Sequence, residues 1–336
     1  MKREILCAAA LLLAACSAST SHVAADSSDG SGIPTGGGGG APLDAPNAPS
    51  QPIAQKYYED GPWSVTAKAA FACCDSTGNA YDVWYPTNLG AGGFQHPIIT
   101  WGNGSDAVPS QYTYLLNHLA TWGFIVVASE TTTAHTGQEM IDAAHFIIAQ
   151  SADPSSPFFG HVAANAVGAM GHSQGSGGAV RALIADPALI KTAIPIEHPM
   201  QFECAAGDCP STTTITAGSV FWVDGTLDVL ISPTIQPEPC TPTAEYSNDC
   251  FYKNTPDTLE KAWGAINGPN HNDVQGQPGC PVPPGLCTNG VYGYLGYPTV
   301  WMVAQLMHDA EARSVFQPGG EWFNDTSWSN QVSNLE

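Results

Sequence analysis

The 336-residue sequence predicts one α/β domain, built on a mostly parallel central sheet with helices on both faces. Strand-like and helix-like runs alternate from about residue 57 to residue 316. Several strand-like runs are apolar along their whole length, as in sheets that are buried on both faces. Hydrophobic residues make up 43% of the chain, which is enough for a large core.

The predicted strands are short, rich in β-branched and aromatic residues, and separated by glycine-rich or helical segments. In order they are 63–69, 80–85, 96–101, 124–128, 163–170, 192–196, 219–224 and 261–266. The predicted helices carry apolar residues at helical spacing and cover 112–122, 139–150, 175–185 and 298–312. Alternation of this length predicts parallel strands joined by helical crossovers.

The charge of the chain excludes some classes of partner. It has 9 Lys and Arg against 30 Asp and Glu, and its formal net charge is −21. Binding to nucleic acid or to an anionic membrane surface needs clustered basic residues, which this composition does not favour. No nucleic-acid partner is therefore expected. The folded domain is predicted to be a monomer.

The first residues have the pattern of a bacterial export signal. Lys2 and Arg3 precede an apolar run at 5–15 that is too short to span a bilayer. The run ends in Leu-Ala-Ala-Cys, which resembles the bacterial lipobox and implies removal of residues 1–15 and lipidation of Cys16. An ordinary signal peptide with a chance cysteine is the alternative. The protein is expected to be exported, as an outer-membrane lipoprotein or as an extracellular or periplasmic protein.

Residues 16–56 are predicted to form a flexible tether that lies outside the folded domain. They are rich in Ser, Ala, Gly and Pro and include five consecutive glycines at 36–40. The catalytic domain is predicted to cover 57–316, followed by a polar tail with three aromatic residues at 317–336. The lipid on Cys16 would be the only membrane contact, because no later run reaches the length of a membrane-spanning helix.

An exported chain is expected to oxidise its cysteines to disulfides. The chain has ten cysteines, and eight remain when the signal peptide and Cys16 are set aside. A bridge between the neighbours Cys73 and Cys74 would be strained, so the connectivity stays open. No Cys-x-x-Cys pairs occur, so no metal site is predicted. Short separations favour the local pairs Cys204–Cys209, Cys240–Cys250 and Cys280–Cys287.

One segment has the pattern of a nucleophile. Residues 171–175 read Gly-His-Ser-Gln-Gly, between a predicted strand and a predicted helix. A sharp strand-to-helix turn would place the backbone of Ser173 in a strained conformation and would need glycine on both sides. The first N–H groups of the helix would face an anion that forms beside Ser173. The alternative is a glycine-rich turn with an incidental serine.

A nucleophilic serine needs a base and an acid, and in this architecture the acid and then the histidine follow the serine in the chain. His271 is the candidate base, because it lies in a Gly/Pro/Asn loop after a predicted strand. His308 falls within the last predicted helix, and His198 precedes every candidate acid. Asp228 is favoured as the acid because it lies further along its loop, and Asp224, at the end of the strand, is the alternative.

An oxyanion in this site would need two N–H donors. The backbone N–H of Gln174 directly follows the candidate nucleophile. The N–H of Asn103 lies in a Gly-Asn-Gly-Ser loop after the predicted strand 96–101. The alternative for this loop is an ordinary glycine turn.

Together these motifs resemble the bacterial cutinase-like and polyester-hydrolase branch of the α/β-hydrolases. The resemblance covers roughly residues 57–315 and implies an α/β-hydrolase fold without a large lid domain. It implies a triad of Ser173, Asp228 and His271, and no metal or organic cofactor. The segments that carry it are Asp-Gly-Pro-Trp-Ser-Val at 60–65, Val-Trp-Tyr-Pro at 83–86, Trp-Gly-Asn-Gly at 101–104, the segment 171–175, and Asp-Gly-Thr-Leu-Asp-Val-Leu-Ile-Ser-Pro at 224–233.

The resemblance also implies residues that bind substrate. Leu230, two positions after the acid, matches an apolar residue of the acyl subsite, and Trp101 and His198 are expected to line the cleft. The family usually has Tyr or Phe at 103, Met at 174 and an aromatic residue near His198. This chain lacks all three, so its cleft is expected to be more polar.

The function predicted from these features is a serine ester hydrolase that acts on an ester or polyester through an acyl-enzyme. A lipase or general carboxylesterase, an acyltransferase and a non-catalytic surface-binding protein are the alternatives. Cysteine-bearing insertions at 234–250 and 276–290 follow the acid and histidine loops. Their disulfides are expected to hold these loops in place, and general stabilisation of an exported protein is the alternative.

Overall fold

The central feature of the fold is one sheet that runs through the whole described part of the chain. The computed structural model describes residues 41–336 apart from 203, 205–208, 230, 238 and 277–286. Within these residues the strands are β1 (Val65–Cys73), β2 (Ala80–Pro86), β3 (His96–Gly102), β4 (Ile125–Ser129), β5 (Val162–His172), β6 (Ile190–Ile196), β7 (Ser219–Gly225), β8 (Glu260–Ile266) and β9 (Trp328–Ser333).

The strand order in the sheet is β1-β2-β4-β3-β5-β6-β7-β8-β9. The six strands from β4 to β8 in that order pair in parallel. The antiparallel pairs lie towards the two edges, where β2 joins β1 and β4, and β9 joins β8. The carboxyl ends of β3, β5, β7 and β8 therefore meet at one edge of the sheet, where open α/β sheets place their sites.

Helices cover both faces of the sheet. The helices of the described residues are α1 (Pro52–Tyr58), α2 (Thr113–Thr121), α3 (Gln138–Gln150), α4 (Gln174–Ala185), α5 (Asn248–Asn254), α6 (Gly296–Leu306) and α7 (Ala310–Ser314). Side chains alternate between the two faces along each strand, and β4 shows this clearly. Val126 packs into the core with α1, α2, α6 and α7. Ile125 and Val127 pack into the core with α3, α4 and α5.

The predicted fold class is confirmed. Every predicted strand and helix is present, most with ends within three residues of the prediction. The last predicted helix, 298–312, is divided into α6 and α7, because the backbone of His308 between them has a φ of 56° and leaves the helical conformation. The described residues belong to one compact unit, and none of them forms a separate lid domain.

The packed domain extends beyond the predicted boundaries of 57 and 316. The carboxylate of Glu321 accepts the N–H groups of Ile53 and Ala54, at 3.0 and 2.6 Å, at the start of α1. Ala54 and Trp322 are fully buried, and β9 pairs with β8. The predicted tether therefore ends before α1, and the tail is part of the sheet. The isolated sequence of α1, α5 or β9 gave no clear signal, because each is short and is stabilised by packing against distant residues.

The cysteines pair locally. Cys73 is bonded to Cys74, Cys204 to Cys209 and Cys240 to Cys250. Cys287 is also in a disulfide, while Cys280 and Cys16 lie outside the described residues. The bridge between Cys240 and Cys250 closes part of the insertion at 234–250, which follows the loop of Asp228, here called the acid loop. None of the helices in the described ranges is long and apolar enough to cross a membrane.

Candidate active site

The segment 171–175, called the Ser173 turn, connects β5 to α4. Ser173 has a φ of 53° and a ψ of −120°, a strained conformation for a residue with a side chain. A Cβ on Gly171 would collide with the backbone of Gly175, and a Cβ on Gly175 would collide with the backbone of Gly102 and Asn103. The structure thus has the sharp turn that the sequence predicts, and close packing of the backbone explains both of its glycines.

Ser173, His271 and Asp228 lie in one line of hydrogen bonds. His271 Nε2 is 2.9 Å from Ser173 Oγ, and its Nδ1 is 2.5 Å from Asp228 Oδ2. Because an ionised carboxylate only accepts, Nδ1 carries the ring proton and Nε2 can accept the proton of the serine hydroxyl. Asp228, and not Asp224, is the carboxylate that faces this ring. His271 lies in residues 267–276 after β8, called the histidine loop.

Asp228 is 2% exposed and still holds its charge. Burial by itself would raise its pKa, but the electrostatic interaction and hydrogen bond with His271, the carboxyl group of Glu197 and the N–H of Ile231 lower the pKa to about 2. The N–H of Ile231 donates to Oδ1 at 3.1 Å. Asp228 is therefore ionised at neutral pH and can hold His271 in the tautomer with the proton on Nδ1.

Asp273, which the sequence analysis missed, holds the histidine loop. Its carboxylate accepts the N–H of Asn270 at 2.6 Å and both the N–H and the hydroxyl of Thr288 at 2.9 Å. It also accepts the N–H groups of Asn289 and Gly290. Asp273 is fully buried, so these hydrogen bonds fix the loop to the segment 287–290. The only signal in the sequence is an aspartate two residues after the histidine.

A second network holds the backbone of His271. Its carbonyl oxygen accepts from Nε2 of His172 at 2.7 Å, so Nε2 of His172 carries a proton. Burial in the first place, and the nearby His271, lower the pKa of His172 to about 3, so the ring is neutral. Its Nδ1 then accepts from the hydroxyl of Tyr112 at 2.9 Å. That hydroxyl in turn accepts from the N–H of Gly104 and from Gln275, at 3.0 and 3.1 Å.

His198 does not line a cleft, and its predicted role in substrate binding is wrong. It is 1% exposed and packs edge-on against Trp222 and Phe251. The hydroxyl of Ser176 donates to the carbonyl oxygen of Ser173 and accepts from Nδ1 of His198 at 2.9 Å. Burial lowers the pKa of His198 to about 3, so it is a neutral donor that supports the Ser173 turn from behind.

Trp101 is also a core residue and not part of the cleft wall. It is 1% exposed and packs against Tyr112 at 4.8 Å between ring centroids. The sequence placed it at the end of a strand that leads to the site, but its side chain points into the core between the sheet and α2. Leu230, the third residue predicted to bind substrate, lies outside the described residues.

The N–H groups of Asn103 and Gln174 remain the predicted oxyanion donors. Gln174 is the first residue of α4, where backbone N–H groups have no carbonyl partner in the preceding turn. The side chain of Asn103 is buried and donates to the carbonyls of Ser129 and Thr131, at 2.8 and 2.9 Å. The side chain is therefore used to hold its loop, and the loop packs against Gly175.

Four exposed apolar side chains lie on the loop of Asp228 and on segments next to it in the chain or bonded to it, and we call them the apolar rim. A backbone hydrogen bond from Met200 to Ile231 joins the segment after β6 to the acid loop. The rim residues, with their exposed fractions, are Phe202 (60%), Leu227 (53%), Val229 (65%) and Ile235 (58%).

A metal ion would compete with the triad. Side-chain ligand atoms of Glu197, Asp228 and His271 lie within 4.8 Å of one another and are of types that bind cations. Both ring nitrogens of His271, however, already have partners in Ser173 and Asp228. A cation here would break these hydrogen bonds, so the residues fit a hydrogen-bonded triad better than a metal centre.

Comparisons with known proteins agree with this architecture. The family described as PET hydrolase-like (PETase) matches residues 18–224. A bis(hydroxyethyl) terephthalate hydrolase of Streptomyces coelicolor is 25% identical over 216 residues, which cover 63% of this chain. The chain matches 61% of the length of that relative.

Proposed function

The chain belongs to the PET hydrolase-like family of α/β-hydrolases, and we propose that it is a serine ester hydrolase that works through an acyl-enzyme. The observation that carries this proposal is the line of hydrogen bonds from Ser173 through His271 to Asp228, at 2.9 and 2.5 Å. A strained turn presents the serine, and an ionised buried acid fixes the histidine tautomer. This is the arrangement that acyl transfer by serine requires.

In the proposed reaction, Ser173 Oγ attacks the ester carbonyl carbon while its proton passes to Nε2 of His271. Asp228 stabilises the imidazolium that forms. The N–H groups of Gln174 and Asn103 donate to the oxyanion of the tetrahedral intermediate. The carbon–oxygen bond to the alcohol then breaks, and the alcohol takes the proton from Nε2. Water, deprotonated by the same nitrogen, attacks the acyl-enzyme; the bond to Ser173 Oγ then breaks, Oγ takes the proton back from Nε2, and the acid is released.

The apolar rim supports a hydrophobic ester as the substrate, and a polyester is the proposal that fits the family and the relative. An ester chain laid over the rim would bury apolar area and gain about 25 cal/mol per Å². Fully buried Trp101 and His198 contribute no cleft surface, so the side chains exposed around the triad determine the binding. A panel of p-nitrophenyl acyl esters, tributyrin and an aromatic polyester film would separate a polyesterase from a lipase or general carboxylesterase.

The central test is Ser173→Ala, assayed on short p-nitrophenyl esters. We expect kcat to fall by about 10,000-fold or more, because the attacking oxygen is removed. Ser110→Ala, at an exposed serine, is the matched control and should keep full activity. Turnover by Ser173→Ala at the wild-type rate would disprove the proposal. Covalent labelling of Ser173 by a fluorophosphonate would exclude a non-catalytic binding protein, and product analysis with added alcohols would reveal an acyltransferase.

We extend the proposal to export and to lipidation of Cys16, on the sequence pattern alone. Mass spectrometry of the protein from a bacterial membrane fraction should show a chain that begins at a diacylated Cys16. Cys16→Ser should abolish the lipid and move the protein out of the membrane fraction. A chain that keeps residues 1–15, or one cleaved elsewhere, would contradict this part of the proposal.

A further inference from the structure

A second buried carboxyl group stands beside the triad acid. Glu197 directly follows β6 and has a φ of 51°, a conformation uncommon for a residue with a side chain. Its N–H donates to the carbonyl oxygen of Val223 on β7, and it is fully buried. This strained position, between β5 and β7 in the sheet, directs the side chain into the site. Nothing in the proposed reaction uses it.

The two carboxyl oxygens of Glu197 differ in their surroundings. The hydroxyl of Tyr294 donates to Oε1. No donor among the described residues reaches Oε2. A carboxyl oxygen of Glu197 lies within 4.8 Å of the ligand atoms of both Asp228 and His271. A fully buried oxygen without a donor, next to a carboxylate, is explained if it carries a proton of its own.

The charges around Glu197 indicate which of the two carboxyl groups, Glu197 or Asp228, carries the proton. Burial raises the pKa of Glu197 well above its ordinary value, and the negative charge of Asp228 raises it further, while the hydroxyl of Tyr294 acts in the opposite direction. Two carboxylates this close in a buried site cannot both stay ionised. Asp228 accepts hydrogen bonds from Nδ1–H of His271 and from the N–H of Ile231, which stabilise its charge, so Glu197 is the group that stays neutral.

We propose that Glu197 is protonated at neutral pH and donates a hydrogen bond from Oε2 to Asp228, as a positioning residue of the triad. Tyr294 donates to Oε1, which leaves Oε2 to carry the acid hydrogen towards Asp228. The bond would fix the rotamer of the Asp228 carboxylate and leave its Oδ2 for His271. This inference rests on the proposed triad function, and its test must separate the two.

The rate at which a fluorophosphonate phosphonylates Ser173 measures the reactivity of the triad, and this measurement does not require the natural substrate. Glu197→Leu removes the donor, and we expect labelling about 10-fold to 100-fold slower, as for the loss of a hydrogen bond to a charged group. Glu197→Gln keeps a neutral donor beside Asp228 and an acceptor for Tyr294. It should label within about threefold of the wild type.

The pH profile distinguishes positioning from simple packing. At alkaline pH the wild type should lose labelling rate as Glu197 ionises, since it can then no longer donate and repels Asp228. Glu197→Gln, which has no proton to lose, should keep its rate over the same range. Asp224 contributes a buried protonated carboxyl band to both proteins, so the infrared difference spectrum of the wild type minus Glu197→Gln at pH 7 should contain one further band of this kind. The infrared measurement does not depend on activity.

Glu245 is a matched control. It is 1% exposed, burial raises its pKa, and its carboxylate accepts from Thr212 and Asn254, each at 2.8 Å. It lies in the insertion after the acid loop, and its hydrogen bonds run to residues outside the triad. Glu245→Gln and Glu245→Leu should therefore lower stability without a change in the labelling rate of folded protein or in its pH profile.

The outcomes are distinct. If the wild type is not labelled at Ser173, the proposed function fails. If the wild type is labelled and Glu197→Leu is labelled equally fast, or if Glu197→Gln shows the same alkaline loss as the wild type, the role of Glu197 is disproved. Loss of wild-type labelling after treatment with EDTA would identify Glu197, Asp228 and His271 as a metal site and would also overturn the inference.

Discussion

The two halves of the candidate site are built in different ways. The Ser173 turn is held by backbone packing, because Gly171 and Gly175 allow contacts that no Cβ would permit. The acid and histidine half is held by buried polar side chains, in particular Asp273 below the histidine loop and Glu197 beside Asp228. The position of Ser173 is thus set mainly by close backbone packing. The positions of Asp228 and His271 are set mainly by charge and hydrogen bonds.

This difference determines how each half should respond to change. Close backbone packing has no titratable group, so the Ser173 turn should be insensitive to pH and intolerant of added atoms. A buried polar network is destabilised mainly when a substitution removes a hydrogen-bond partner. Its stability also depends on pH, because its groups gain and lose protons. Four substitutions test the contrast, in order of expected effect.

Gly175→Ala should have the largest effect. Its Cβ would collide with the backbone of Gly102 and Asn103 and would separate the loop after β3 from the turn. We expect kcat for p-nitrophenyl esters to fall by about 100-fold to 1,000-fold, the usual result of losing an oxyanion donor. Gly160→Ala is the control, because its Cβ would meet nothing within 4 Å and only its positive φ resists the change. Equal kcat values for the two variants would contradict the packing argument.

Asp273→Asn should have the second-largest effect on kcat. The amide offers one acceptor oxygen to a set of N–H donors that now use two, so we expect a loss of about 3 kcal/mol in the free energy of unfolding and of about 10-fold to 100-fold in kcat. Asp325→Asn is a matched control. Asp325 is 2% exposed and accepts from Tyr297 and Ser327, at 2.8 and 2.7 Å.

Both variants should be less stable in urea, but only Asp273→Asn should lose kcat in the folded protein. A fall in kcat of the same size in Asp325→Asn would show that general loosening, and not the histidine loop, causes the effect.

Asn103→Ala should have a smaller effect on the Ser173 half. It removes the two hydrogen bonds that hold the loop after β3, to Ser129 and Thr131, and leaves both carbonyls buried. We expect kcat to fall about tenfold with little change in KM, because the backbone donor loses its position only in part. Asn334→Ala loses comparable bonds to the carbonyls of Asp257 and Leu259 and should keep its kcat. A larger effect on KM than on kcat would argue against the oxyanion role.

Asp224→Asn should affect stability alone. The Asp224 carboxyl group is fully buried, and no hydrogen bond from the described residues reaches either oxygen. Burial first, and then the charge of Asp228, raise its pKa well above the ordinary value. The folded state therefore keeps a proton that the unfolded state releases, and stability falls as the pH rises above about 4, by up to about 1.4 kcal/mol per pH unit.

The variant removes this contribution, so its free energy of unfolding in urea should fall less between pH 5 and pH 8 than that of the wild type, at unchanged kcat. Asp82→Asn is the control. Burial raises the pKa of Asp82 to about 6, so this variant should flatten the profile only from about pH 4 to pH 6. Parallel profiles for the wild type and Asp224→Asn would show that Asp224 is ionised in the folded protein.

Much of the fold could be predicted from the sequence, because its signals are local. Apolar runs such as 124–128 identify buried strands, and the glycines of 171–175 identify the turn. The position of Asp228 further along its loop favoured it over Asp224 as the acid, and the structure places Asp228 beside His271. The wrong assignments were side-chain directions, since the sequence places Trp101 and His198 near the site but does not show that both point into the core.

The sequence by itself determined the periodic elements, the Ser173 turn and the residues of the candidate triad. Each of these was recognised from a short segment of sequence, and the triad also from the order of its segments along the chain. Only the tertiary structure decided the polar half of the site. Glu197 and Tyr294 are 97 positions apart, and Asp273 and Gly290 are 17 apart. Whether such groups meet, and which of them keeps its proton, depends on burial and on neighbouring charges, and these exist only once the sheet has brought the loops together.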